Sequence, residues 1–264
     1  MNTRPLRPPR RSVRPSPIFL VILAITGLGG ALAWACGAAQ ATNPPLAHAA
    51  VLIFVFAGWV VSLCLHEFGH AYTAWRFGDH EVAGRGYLTL NPLKYSNPML
   101  SLGLPLLFVA LGGIGLPGGA VWLRTGSMTK WQRTVVSLAG PFANLVLAVL
   151  LLGAGAVLAT PERSVFWGGV AFLGLLQVMA VVLNVLPVPG LDGYGALEPH
   201  LSPQTQRALS GFKQWGVLLL VVVLLMSPLN QWFFGLVYRI FALLGGSGAM
   251  AAVGFDLALF WSLR

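Results

Sequence analysis

Charge is what this chain has least of. Only 9% of its 264 residues are Asp, Glu, Lys or Arg, whereas 56% are hydrophobic and the mean hydropathy is +0.77. Soluble domains carry about 25% charged residues. With so few, the chain cannot cover a water-facing surface, which excludes a soluble enzyme, a disordered chain and a secreted disulfide scaffold. Acids are scarcer still, 7 against 16 basic residues. The resulting net charge of +9 does not point to nucleic acid. Five of the bases (Arg4, Arg7, Arg10, Arg11, Arg14) crowd a proline-rich arm over residues 1–16, and most others flank apolar runs. That is the pattern of topology signals facing anionic lipid. Cysteine is nearly absent too: Cys36 and Cys64 both lie in apolar stretches and supply no disulfide framework. What remains is an integral membrane protein whose first partner is the lipid bilayer.

What is present is a series of long apolar runs. From Pro15 to His66 no formal charge occurs, and Asn43-Pro44-Pro45 splits that stretch into two spans, about Pro17–Ala39 and Leu46–Trp75. Each can cross a hydrocarbon core of roughly 30 Å. The first has a signal-peptide look, with Ala39-Gln40-Ala41 behind it, but its apolar run exceeds the usual h-region, so a retained helix is expected. Further uncharged runs are Tyr95–Leu123, Thr134–Pro161, Ser164–Leu191 and Gln214–Tyr238, followed by the mostly apolar Ile240–Arg264. With the amino terminus inside, the inner segments hold the arm plus Arg76, Arg85, Lys94, Arg124, Lys130, Arg133, Arg207 and Lys213, leaving Arg163 and Arg239 outside. Tyr95–Leu123 then has basic residues at both ends and is broken by Pro98, Pro105, Gly112-Gly113 and Pro117-Gly118-Gly119. Such a segment should be a re-entrant hairpin or a pair of half-helices rather than a crossing, since broken backbone survives at membrane depth only when shielded. The carboxy-terminal part reads either as two spans meeting at Arg239 or as a hairpin turning at Pro228. The fold expected is all-α and polytopic, about six transmembrane helices with a short β or re-entrant hairpin element between the second and third main spans. Residues 17–264 form one domain with its core over 46–200.

The second span ends in His66-Glu67-Phe68-Gly69-His70. Four residues is close to one helical turn, so both imidazoles share a face, about 6 Å apart along the axis. Two such rings can bind one Zn2+ while Glu67 stands beside it as a base that takes a proton from water. An acid within a span is costly and is by default functional. A catalytic zinc needs a third protein ligand and an open position. Asp192 closes Asn184-Val185-Leu186-Pro187-Val188-Pro189-Gly190-Leu191-Asp192-Gly193, where two prolines open the helix into extended backbone. That puts Asp192 at the membrane face of His66 and His70. His48, His80 and His200 fall at the other end or in loops. Two amides remain within spans, Asn144 and Asn184, either as glue between helices or as groups that hold a substrate backbone or an oxyanion.

These residues together resemble the site-2 protease family of intramembrane zinc metalloproteases. His-Glu-x-Gly-His, then Gly140-Pro141-x-x-Asn144, then Asn-x-x-Pro-x-Pro-x-Leu-Asp-Gly carry the resemblance, which extends through Leu88-Thr89-Leu90-Asn91-Pro92-Leu93-Lys94 and covers roughly residues 47–200. It implies a compact prokaryotic type with no PDZ domain and no CBS pair. It implies that His66, His70 and Asp192 bind one zinc, that Glu67 is the catalytic base, and that Asn184 and Asn144 position substrate. The activity implied is hydrolysis of peptide bonds within or beside transmembrane segments of membrane proteins, in regulated proteolysis, with a regulatory membrane partner in place of accessory domains. Glu81–Pro92, with Val82, Tyr87 and Thr89 among glycines, could add as an edge strand to an unwound substrate. The competing readings are a metal-binding transporter, for which internal pseudo-repeats are missing, and an inactive relative, for which the loss of Glu67 would be expected. The cytoplasmic membrane is the expected location, with the site near the cytoplasmic face.

Overall fold

The computed structural model describes residues 13–39, 44–95, 123–212, 216 and 228–259. Helix α1 (Pro17–Cys36) starts where Pro17 fits the first helical position and the Ser16 hydroxyl accepts from Phe19 N. Helix α2 (Pro44–Arg76) runs 33 residues, about 50 Å, longer than a hydrocarbon core needs. The histidine pair lies in the last third of that length. Helix α4 (Lys130–Leu158) opens with a capping box between Thr129 and Gln132 and continues through Pro141. Helix α5 (Ser164–Asn184) lies at the centre of the bundle, touching α1, α2, α4, α8 (Leu229–Leu243) and α9 (Gly248–Ala258). It is apolar on all sides, as a helix with no exposed face must be. By contrast α4 leaves Phe142 and Leu150 exposed for lipid while burying Val136, Gly140 and Asn144.

Four described helices are long and apolar enough to cross a membrane, over Pro17–Cys36, Pro44–Arg76, Lys130–Leu158 and Pro161–Asn184. A fifth candidate is the pair α8 and α9, bent by 115°. The expected count of about six therefore reduces to four or five among the described residues. The carboxy-terminal break falls at Leu244–Ser247, where Gly245 takes a positive φ of 88°, and Arg239 sits inside α8 rather than at a loop. Glycines cannot hold the helix there, whereas one arginine at a membrane edge can. The carboxy-terminal end of α1 is tied to the start of α5: the Arg163 guanidinium donates to Trp34 O at 2.7 Å and lies 5.0 Å over the Trp34 ring.

The strand expected over Glu81–Pro92 is not formed. Helix α3 (Glu81–Gly84) and two 3-10 turns, Tyr87–Thr89 and Pro92–Lys94, occupy it instead, and no strand occurs among the described residues. The reason is local. Asp79 Oδ1 accepts from Glu81 N and Asn91 Oδ1 from Leu93 N, each winding the chain, while Gly86 and Leu90 turn it at φ of 78° and 56°. Val82, Tyr87 and Leu88 bury against α2 as a small cluster, so their β-forming character is spent on packing. The re-entrant hairpin expected within Tyr95–Leu123 lies outside the described residues.

Candidate metal centre

His66 and His70 are both buried, one turn apart on α2, with their rings edge-on at 78°. Their Nε2 atoms are 3.1 Å apart. One Asp192 oxygen lies 3.2 Å from His66 Nε2 and the other 3.4 Å from His70 Nε2. Ligand atoms about 2.0–2.1 Å from a tetrahedral zinc stand about 3.3 Å from one another. The Nε2 pair and each histidine–carboxylate contact fall near that edge length, the two contacts being made by different Asp192 oxygens. Of the described His, Cys, Asp and Glu side chains, these three form the group able to hold a metal, with their ligand atoms all within 4.8 Å.

Helix α4 decides which nitrogen of each ring is free. Three of its residues, four apart and therefore on one face, meet α2 in antiparallel order. The Val136 carbonyl takes the His70 Nδ1–H at 2.8 Å, and Asn144 Oδ1 takes the His66 Nδ1–H. Between them Gly140 leaves the space the two Nε2 atoms occupy: a Cβ there would come within 2.3 Å of His70 Nε2 and 2.6 Å of His66 Nε2. Gly69 serves the same crossing from α2, since its Cβ would meet the Ala139 carbonyl at 2.7 Å. With both Nδ1 atoms bearing hydrogens, both Nε2 lone pairs face the Asp192 carboxylate. Asp192 Oδ2 accordingly makes no hydrogen bond, buried though it is. Three converging lone-pair donors without a hydrogen between them are the donor set a divalent cation requires, and the residues fit zinc.

Asp192 arrives by a tight return. After α5, Pro187 and Pro189 hold the chain extended and Leu191 N closes a turn on Val188 O at 3.0 Å. Helix α6 (Asp192–Leu197) then folds back so closely that a Cβ on Gly193 would meet Val185 O at 2.2 Å. The Asp-Gly pair is thus one geometric unit: the glycine permits the approach that delivers the acid. Thr134 Oγ1 donates to Ala196 O at 2.8 Å and pins α6 to α4.

Glu67 is buried and within electrostatic range of His70 and the Tyr95 phenol. Tyr95, packed against α2, donates to Cys64 O at 3.2 Å. Asn144 reaches the centre through His66. Asn184 donates to Ala180 O of its own helix at 3.0 Å. His48 contacts Leu257 O at the far end of α2, His80 is exposed, and His200 meets Thr134. Sequence reasoning passed over Val136, Gln177 and Ser62. A backbone carbonyl has no sequence signal, but Gln177, an amide inside an apolar run, did carry one.

The family model for Peptidase family M50 matches residues 53–165, which hold the histidine pair and Gly140-Pro141-x-x-Asn144; Asp192 lies beyond the match. Over 262 residues the chain is 63% identical to the protein named "Putative zinc metalloprotease Rip2" of Mycolicibacterium smegmatis, covering 99% of each. It is also 63% identical over 254 residues to the Mycobacterium tuberculosis protein of that name, covering 96% of this chain and 97% of the relative. Identity to "Putative zinc metalloprotease YwhC" of Bacillus subtilis is 32% over 180 residues, 66% of this chain and 80% of the relative. No solved structure matches. A donor set made for zinc, carried by apolar helices and shared along nearly the whole chain with named zinc metalloproteases, leaves one assignment: the chain belongs to peptidase family M50, the site-2 protease family, and is an intramembrane zinc metalloprotease.

Proposed function

We propose that His66, His70 and Asp192 hold the zinc and that Glu67 is the general base for peptide hydrolysis. The observation that carries this is the convergence of the two Nε2 atoms, 3.1 Å apart, on the Asp192 carboxylate, whose two oxygens lie 3.2 Å from His66 and 3.4 Å from His70. Zinc supplies a lowered pKa for water and polarisation of the scissile carbonyl. Glu67 takes the proton from water and passes it to the leaving amine. Its place in the residue after His66 and its burial beside the histidine pair support that role. Asn184, at the end of α5 just before the extended Pro-Val-Pro backbone, is placed to hold substrate there. Asn144 acts on the ligand His66.

The substrate is a transmembrane segment of another membrane protein. Its helical carbonyls are all hydrogen-bonded, so it must unwind before attack. The amino terminus lies in the cytoplasm and the site near the cytoplasmic face, as the distribution of Lys and Arg directs. Residues 1–16 are a basic arm on a single domain over 17–264, and a regulatory membrane partner or a prior cut in the substrate controls access. The test is zinc content and cleavage of a transmembrane substrate in detergent-purified protein. Wild type and Glu67→Gln should hold about one zinc per chain, and His70→Ala and Asp192→Ala should hold none. Only wild type should cleave. A Glu67→Gln protein that cleaves at the wild-type rate would remove Glu67 from its role. Access control is tested by purified protein alone, which should cut a trimmed substrate much faster than an intact one.

A further inference from the structure

Two histidines of the centre are oriented by different means. His70 donates to a backbone carbonyl, Val136 O, which can only accept. His66 donates to an amide, and an amide has two ends. If Asn144 presented its NH2 instead, His66 Nδ1 would have to accept, Nε2 would carry the hydrogen, and the ring could not ligate. Something must hold that amide one way round. Asn144 Nδ2 donates to Gln177 Oε1 at 2.8 Å, Gln177 Nε2 donates to Ser62 Oγ at 3.1 Å, and Ser62 Oγ donates to Trp59 O at 2.8 Å. The last acceptor is a carbonyl, so Ser62 has no hydrogen left for Gln177 and must accept from it. Each step then has one possible direction.

We infer that Ser62 and Gln177 are positioning residues, a buried relay that leaves α2 at Trp59, crosses α5 and α4, and returns to α2 to fix His66 in the ligating tautomer. All four polar side chains are buried, Gln177 completely, and lie in an apolar core. There a reversed amide would set like dipoles face to face with nothing to relieve them. Residues 59, 62 and 66 share one face of α2, which is why the relay can start and end on the same helix. The inference rests on the zinc reading of His66 above, so wild-type zinc binding is measured in the same titration.

The full chain in detergent is titrated with Zn2+ against a chelator, and apo protein labelled with 15N-histidine reports the tautomers. Gln177→Leu removes the acceptor for Asn144 and should weaken zinc about 10–100-fold. At one histidine, His66, the Nδ1–H signal should give way to a mixture while His70 stays unchanged. Gln177→Glu keeps that acceptor and should stay within about threefold of wild type. Asn144→Asp sets a second acceptor against Gln177 Oε1, which the relay holds in place, and should weaken zinc about tenfold. Combining Asn144→Asp with Gln177→Glu opposes two carboxyls and should lose far more than the two singles together. If Gln177→Leu does not fold, that double variant decides the matter. Wild-type zinc affinity and unchanged tautomers in folded Gln177→Leu, or a double variant as tight as Asn144→Asp, would reduce the relay to helix–helix glue. Failure of the wild type to bind zinc overturns the metal reading instead.

Discussion

Among the described residues, two short breaks in the apolar helices are each followed by an acid, yet only one of the two builds a site. The Pro187–Leu191 break follows α5 and leads to Asp192; the Leu244–Ser247 break separates α8 from α9, which carries Asp256. At the first, Gly193 lets α6 fold against Val185, Thr134 pins α6 to α4, and Asp192 arrives beside two imidazoles. At the second, the chain turns 115°, α9 packs on α5, and Asp256 remains exposed, outside the described metal-capable group. An acid near a helix break is therefore a site only when the returning segment docks on the helix that already carries its partners.

Exchanging the two acids for alanine gives the largest contrast. Asp192→Ala should abolish zinc binding and cleavage, whereas Asp256→Ala should leave both at wild-type levels, read by metal analysis and substrate cleavage. Zinc loss in both would mean that α9 also supports the centre. Glu67→Gln comes next: zinc stays near one per chain while the cleavage rate drops about 10²–10⁴-fold. A parallel loss of zinc would make Glu67 a ligand rather than a base.

Close approach is tested by one substitution at three glycines. Gly140→Ala drives a methyl into the space of both Nε2 atoms and should weaken zinc about 100-fold, as disturbance of a ligand shell does. Gly193→Ala should cost about 1–3 kcal/mol of unfolding free energy through overpacking and misplace Asp192. Gly153→Ala, on the same helix as Gly140 but with nothing within 4 Å of its Cβ, should instead stabilise by about 0.5–1 kcal/mol. Equal effects at positions 140 and 153 would show that helix propensity, not the crossing, governs α4. The smallest effect is expected at Thr134→Val, which removes the bond to Ala196 O and should cost about 0.5–1.5 kcal/mol. Zinc affinity that does not move at all with it would free α6 from dependence on that pin.

Much of the site was legible because its chemistry is local. His66 and His70 are one helical turn apart, and that spacing by itself aligns two rings. The Pro-Val-Pro-Gly-Leu-Asp-Gly run announces a broken helix ending in an acid. Less legible were features set by long-range packing. Glu81–Pro92 has β-forming residues in a strand-like pattern, but Asp79 and Asn91 wind it locally and α2 absorbs its apolar side chains. Gln177 lies in an apolar run 33 residues from Asn144 and 115 from Ser62, so no spacing rule connects them.

By itself the sequence determined that the chain lives in a membrane, that two imidazoles face one way, and that a second acid stands at a break. Scarcity of charge, helical periodicity and the missing proline N–H suffice for those conclusions, because each acts within a few residues. Tertiary structure alone decided that α4 brings Val136, Gly140 and Asn144 to the same two rings, and that the amide of Asn144 points the ligating way. Those outcomes depend on missing atoms and opposed dipoles between helices far apart in the chain, and such complementarity exists only once the helices have packed.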